Sequence, residues 1–364
     1  MFSVNDRISV RQVQALFLLE IFGTSILILP RTTAEFAGQD GWLVIIIATA
    51  IAALCMFVLA SAGRIFPSDT FVDSAAKILT RPIAIIIAVG FLFRLIVVSA
   101  MELRVFGEII KLTMLRDTPY SAVCAAMVSV GGYAAMKGCE TRARLAQILV
   151  VLAFIPLLAV FLIGAADVDF TNLMPVLVNP PSDILRGGLH SLRAFSGIEF
   201  ILLLYPFINQ HKRVRRGAVQ IVLVIGGLML FITVVTIAKF GPFDIKDQMW
   251  PTLQMMDATT IPGAFIERQD ALIMSFWIIS VFAITGAGLF FSAVLLKGMF
   301  KKFNSSYCIM VCGAIVFILS FLPENVPQVY LIMELVLAFG FIYMLAVPLL
   351  MLSIAKLRKL GGNT

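Results

Sequence analysis

Charged side chains inside apolar sequence are costly and therefore informative, and this 364-residue chain carries several, Arg94 and Glu199 foremost, in stretches long enough to cross a bilayer. Glu199 also follows one of two places where apolar sequence is interrupted by small residues. The first interruption reads Phe22-Gly23-Thr24-Ser25 and runs to Leu29-Pro30; the second reads Phe195-Ser196-Gly197-Ile198-Glu199 and runs to Tyr205-Pro206. The chemistry on offer is recognition. A broken membrane helix frees N–H and C=O groups at mid-membrane, and the usual partner is a small polar ligand or ion. Arg94 presents a guanidinium fork to a ligand carboxylate or an acidic side chain; the alternative is an internal pair with Glu20 or Glu199 that only holds helices together. Glu199 could bind a ligand amine, titrate in a coupling path, or anchor the unwound turn through its N–H groups. Bond-breaking chemistry finds no support: the histidines are His190 and His211, and there is no His-Glu-x-x-His, phosphate-binding glycine loop or Gly-x-Ser-x-Gly elbow. No cofactor or metal is expected, and no catalytic residue.

The elements that must position these groups are membrane helices. With 60% hydrophobic and 13% charged residues, the chain departs far from a soluble domain. Apolar stretches of roughly 20 residues, enough for about 30 Å of hydrocarbon, recur near 12–31, 41–63, 82–106, 119–136, 145–166, 187–208, 217–240, 270–296, 306–322 and 328–353. About ten transmembrane helices in one membrane domain, 1–364, are expected, with no soluble domain and no removable signal peptide. The interruptions fall in the first and sixth spans, each closed by its proline. This predicts a five-plus-five inverted repeat, 1–166 and 187–353, with helices 1 and 6 broken near the midplane. Arg94 lies at the same depth in the third span, with Val98, Met101 and Glu102 on its face.

The basic residues orient the chain. Arg7, Arg11, Arg142, Arg144, Lys212, Arg213, Arg215, Arg216, Lys301, Lys302, Lys356 and Lys359 fall on inner loops when both termini are cytoplasmic. The net charge of +7 then matches anionic lipid headgroups and requires no nucleic acid. Cys55, Cys124, Cys139, Cys308 and Cys312 read as packing residues in or beside spans. Arg193 is expected to reach the outer interface rather than a ligand, and Glu334 to pack against a neighbouring helix or subunit. The amphipathic stretch Phe71 to Leu79 could meet a partner or lie on the membrane. The loop from Trp250 to Arg268 is either a gate or docking surface, or a packed cap.

Several short strings give the chain a likeness. Beside the Gly23 interruption and Leu29-Pro30 stand Asp40-Gly41-Trp42, Glu102-Leu103-Arg104, Asn172-Leu173-Met174-Pro175-Val176-Leu177, Gly197-Ile198-Glu199, Trp250-Pro251-Thr252 and Phe265-Ile266-Glu267-Arg268. In this order along ten spans, the chain resembles the B subunits of GerA-type spore germinant receptors, of the amino acid, polyamine and organocation transporter superfamily. The resemblance implies a LeuT-like all-α fold that senses a nutrient germinant, such as an amino acid or sugar, in the inner membrane of a dormant spore. Its partners would be an A-type membrane subunit and a C-type lipoprotein. A secondary amino acid transporter driven by a proton or sodium gradient is the alternative. The family's pocket maps onto Gly23, Thr24, Ser25, Arg94, Val98, Ser196, Gly197 and Ile284 or Thr285. The family carries an uncharged, often aromatic residue where this chain has Arg94, which favours an anionic or carboxylate-bearing ligand.

Overall fold

The computed structural model describes residues 6–23, 25–259 and 269–360, with side chains described outside 269–273. The described residues are helical, without a strand; an isolated parallel bridge joins Ile8 to Ile208. Helix α1 (Val10–Ile21) opens on a capping box, in which Ser9 Oγ accepts from the Gln12 amide and Gln12 Oε1 accepts from the Ser9 amide. It stops at Phe22, and α2 (Ser25–Ala37) resumes beyond the interruption. Then follow α3 (Gly41–Gly63), the short α4 (Phe71–Ile78), α5 (Arg81–Thr113), α6 (Tyr120–Met136) and α7 (Gly138–Gly164). The sixth span is discontinuous: α8 (Pro181–Ser191) passes through a tight turn to Ser196-Gly197, and a second short helical piece runs from Ile198 through α9 (Ile201–Leu204) to Phe207. The chain continues with α10 (His211–Asp247), α11 (Pro251–Asp257), α12 (Gln269–Met299), α13 (Ser305–Leu319), α14 (Val326–Phe341) and α15 (Val347–Leu357).

Among the described residues six helical stretches are individually long and apolar enough to cross a membrane, and three shorter apolar ones accompany them: Tyr120–Met136, Ile198–Phe207 and Ser305–Leu319. Ile86, Ile148 and Phe93 are 71%, 68% and 64% exposed on the outside, while Glu20, Arg94, Arg142 and Glu199 are buried. Apolar outside and charged inside is the arrangement a bilayer selects. The protein is an integral membrane protein. In its interior α3 packs on α10, and α12 packs on α5, α6 and α7, so the continuous helices frame the two broken ones.

Three expectations need correction. Pro30 does not close its helix; α2 runs through it to Ala37. Proline removes the amide that would reach the Ile26 carbonyl, and Thr252 Oγ1 of α11 donates to that carbonyl at 2.7 Å instead. Arg142, counted with the inner loops, is buried in α7, because it lies one turn inside the helix and faces α1. The apolar face of α4 (Phe71, Val72, Ala75, Ile78) is buried within the bundle, with α5 its main neighbour, leaving that face neither to a partner nor to lipid.

Two loop motifs act as clamps. The carboxylate of Asp40 accepts from the amides of Leu177, Val178 and Asn179 at 2.7, 3.0 and 3.1 Å, pinning the turn between α2 and α3 to the segment before α8. Trp250 Nε1 donates to the Tyr330 hydroxyl at 2.8 Å, and Pro251, Thr252, Leu253, Met255 and Met256 of α11 are buried, which is a packed cap. The Phe265 to Arg268 string lies outside the described residues.

Candidate ligand site at the helix breaks

At the second break Gly197 has φ +112°, a left-handed conformation that glycine alone adopts without strain. Its freed amide donates to Glu199 Oε2 at 2.9 Å. The other oxygen of Glu199 takes Arg94 Nη1, and Arg94 Nη2 reaches Ser196 Oγ. Arg94 and Glu199 are 3% and 0% exposed, so the pair is dry. Arg94 lies against α14, where a Cβ on Gly340 would stand 2.8 Å from Nη2. Of the alternatives open for Arg94, the structure has the internal pair with Glu199; Glu199 anchors the unwound turn with both of its oxygens engaged.

At the first break the Gly23 amide turns back to the Ile21 carbonyl at 2.9 Å. A Cβ on Gly23 would meet Ile284 Cδ1 of α12 at 2.5 Å and the two carboxylate oxygens of Glu102 at 3.5 Å, so a larger residue would require the end of Ile284 to shift. Thr24 lies outside the described residues. One turn earlier, Glu20 accepts from Arg142 Nη2 at 2.7 Å, with the two side chains 1% and 5% exposed.

An internal cavity of about 50 Å³ joins the two breaks. Gly23 and Ser25 line it from the first, Ser196 and Phe200 from the second, Arg94, Val98 and Glu102 from α5, Ile284 from α12 and Met333 from α14. The sequence-predicted residues Gly23, Ser25, Arg94, Val98, Ser196 and Ile284 thus converge. Gly197 and Glu199 do not line it; they support the residues that do. Thr285 turns towards Gly131 of α6, and its buried hydroxyl has no hydrogen-bond partner among the described residues. Glu20, Glu102 and Met333 were missed as lining residues. Glu20 carried a usable signal, a charge three residues before the interrupting glycine.

A cavity this size has room for a few waters, so a ligand as large as an amino acid requires the lining to move apart. A wider vestibule of about 570 Å³ lies beside it, between α2, α8 and α14, and shares Ser25, Arg193, Met333 and Leu337 with it. Arg193 donates to Glu334 Oε1 at 2.9 Å at this junction, with His190 Nε2 3.0 Å from the same nitrogen. Arg193 therefore ties the sixth span to α14, and Glu334 packs on a neighbouring helix of its own chain.

A helical bundle with two broken helices around an internal cavity defines a membrane protein with a LeuT-like fold. Its fold matches the closed structure of Mhp1, a nucleobase-cation-symport-1 family transporter with bromovinylhydantoin bound, at a TM-score of 0.68 and 12% identity, over 97% of this chain and 79% of that one. The chain belongs to the spore germination protein family of spore permeases, whose sequence model matches residues 7–329. It is 25% identical to spore germination protein YndE of Bacillus subtilis (strain 168) over 99% of both chains. Identity is also 25% to spore germination protein KB of the same organism, over 86% of this chain and 84% of that one, and 23% to spore germination protein GerLB of Bacillus cereus, over 99% and 97%.

Proposed function

We propose that this chain is the nutrient-sensing subunit of a spore germination receptor, binding a small-molecule germinant at the two breaks. The observation that carries the reading is the single cavity lined by both breaks together with Arg94, Val98 and Ile284, in a chain of the spore germination family. A ligand entering from the vestibule would move α2 and the Ser196–Gly197 segment apart. Because a ligand shifts an equilibrium only by its differential affinity for the two states, the expanded cavity is the liganded one. The movement would pass to an A-type membrane subunit and a C-type lipoprotein in the spore inner membrane, with both termini on the core side. In this reading 1–166 and 187–353 are the two five-helix repeats that move against each other.

Likeness to a transporter structure favours one rival, a secondary amino acid transporter driven by a proton or sodium gradient. Purified chain in sealed vesicles separates the two. The receptor reading expects saturable binding of a germinant without accumulation inside, under either gradient. Gradient-driven accumulation by this chain alone would replace it with the transporter reading, and absence of binding would remove both.

A further inference from the structure

Within the proposed germinant site, the group that a ligand would address is open to argument from the ion pairs. Arg94 has both terminal nitrogens held, one by Glu199 and the other by Ser196, while its Nε is buried without a hydrogen-bond partner among the described residues. Glu199 has both oxygens engaged, by Arg94 and by the Gly197 amide. A ligand carboxylate aimed at the Arg94 fork, or an amine aimed at Glu199, would have to displace a buried partner.

Glu20 differs. It lines the cavity at the breaks and also a second cavity of about 20 Å³ between α1, α7 and α12. Oε1 accepts from Arg142, whereas Oε2 is buried without a hydrogen-bond partner among the described residues, as is Arg142 Nη1. A buried carboxylate oxygen lacking a donor is an acceptor waiting for one. Glu102 adds a second carboxylate to a lining that also holds Arg94 and Arg193. Arg142 has other support, its guanidinium lying 5.0 and 5.6 Å from the ring centres of Phe290 and Phe291.

We propose that Glu20 reads a ligand's ammonium group through Oε2, and that sharing the carboxylate between two cations loosens its bond to Arg142 and frees α1 from α7. The inference rests on the germinant-site reading and names its ligand class: a small primary amine or amino acid in which the amine is the required group. It replaces the expectation of an anionic ligand held by Arg94.

The test is direct binding to the purified full-length chain. The probes are L-alanine and L-leucine, each beside its N-acetyl derivative, its decarboxylated amine (ethylamine, isopentylamine) and its deaminated acid (propionate, 4-methylpentanoate), with glucose as a neutral probe. At least one amino acid and its amine should bind; the N-acetyl derivatives and acids should not. Glu20→Gln should weaken amine binding by about tenfold to a hundredfold. Because that variant strands a buried Arg142, Glu20→Gln/Arg142→Gln is measured too and should show the same loss. Binding of an N-acetyl derivative or acid as tight as its parent amino acid, of glucose alone, or unweakened in the double variant overturns the role of Glu20 and leaves the germinant site standing. No binding by any probe overturns both. Cys139, buried three residues before Arg142 at the start of α7, should become reactive to a thiol reagent on amine addition; unchanged labelling refutes the loosening.

Discussion

Replacing Arg94 by methionine keeps much of the apolar stem and removes the charge. It leaves Glu199, 0% exposed, as an anion with only the Gly197 amide to offset it. Breaking a buried pair from one side costs about 3–5 kcal/mol, whereas replacing both members with neutral residues is often close to neutral. Glu199→Gln strands the cation instead and should cost a similar amount, because glutamine still accepts from Gly197. The double variant Arg94→Met/Glu199→Gln retains that acceptor and buries no charge, so it should be more stable than either single variant. The coupling energy should be about 3 kcal/mol or more, far outside the roughly 0.3–0.5 kcal/mol scatter of independent sites. Glu199→Leu should be worse than Glu199→Gln by about 1–3 kcal/mol, since it also orphans the Gly197 amide. The assay is equilibrium unfolding of the purified protein in mixed micelles, with all four variants in one detergent composition. Single costs below about 1 kcal/mol that simply add would refute the reasoning, because they would describe a hydrated, screened pair.

Thr252→Val strips the Ile26 carbonyl of its donor across the Pro30 gap and should cost about 1–3 kcal/mol in the same assay; an unchanged stability would mean the carbonyl finds another donor. Gly197→Ala forces a Cβ into φ +112° and should cost about 1–3 kcal/mol, with germinant binding lost at a temperature where the variant is still folded; binding at the wild-type level would refute the rigid-break geometry. Burial pushes the Asp40 carboxyl up, but hydrogen bonds from Asn179, Leu177 and Val178 more than offset it and hold the carboxyl below the ordinary aspartate range. Its stabilisation is therefore complete above the unfolded value near about 3.9 and fades as pH falls through the lower folded one, so thermal stability should fall across that window in the wild type and fall less steeply in Asp40→Asn, where Asp169, also held low by hydrogen bonds from the Thr171 hydroxyl and amide, still titrates.

The breaks were legible because their cause is local: small residues interrupt an apolar run, and Gly197 needs its left-handed φ whatever surrounds it. Depth was legible as well, since counting along a helix puts Arg94 level with both breaks. Its partner was not, because Glu199 lies 105 residues away and nothing in either sequence neighbourhood distinguishes it from Glu20. The choice between Ile284 and Thr285 depends on the rotation of α12, which a helix of uniform hydrophobicity does not encode. Pro30 shows the opposite failure. A proline is easier to keep inside a helix when the carbonyl it orphans finds another donor, and the donor here, Thr252, is more than two hundred residues away.

Three ion pairs surround the cavity: Arg94 with Glu199, Arg142 with Glu20, and Arg193 with Glu334. Each joins one of the two interrupted spans to a continuous helix, α5, α7 or α14. Moving either interrupted span must therefore carry a continuous helix along or separate a pair, and separating a dry one costs about 3–5 kcal/mol. Converting a closed state populated 99:1 into an open one populated 1:99 needs about 5.5 kcal/mol of differential binding. On the proposed sensing mechanism the two scales are comparable, so one buried pair would be enough to hold the unliganded protein closed. The Arg193–Glu334 pair is too exposed to contribute on this scale, Glu334 being 55% accessible. In that reading the latch lies in the two buried pairs. Among the described residues both pairs reach the cavity, but the orphan atom of Arg94–Glu199 is a donor, Arg94 Nε, whereas that of Glu20–Arg142 on the cavity side is an acceptor, Glu20 Oε2. In the proposed mechanism an amine supplies that missing interaction without first displacing a partner, which makes Glu20–Arg142 the pair through which its binding energy most directly becomes movement.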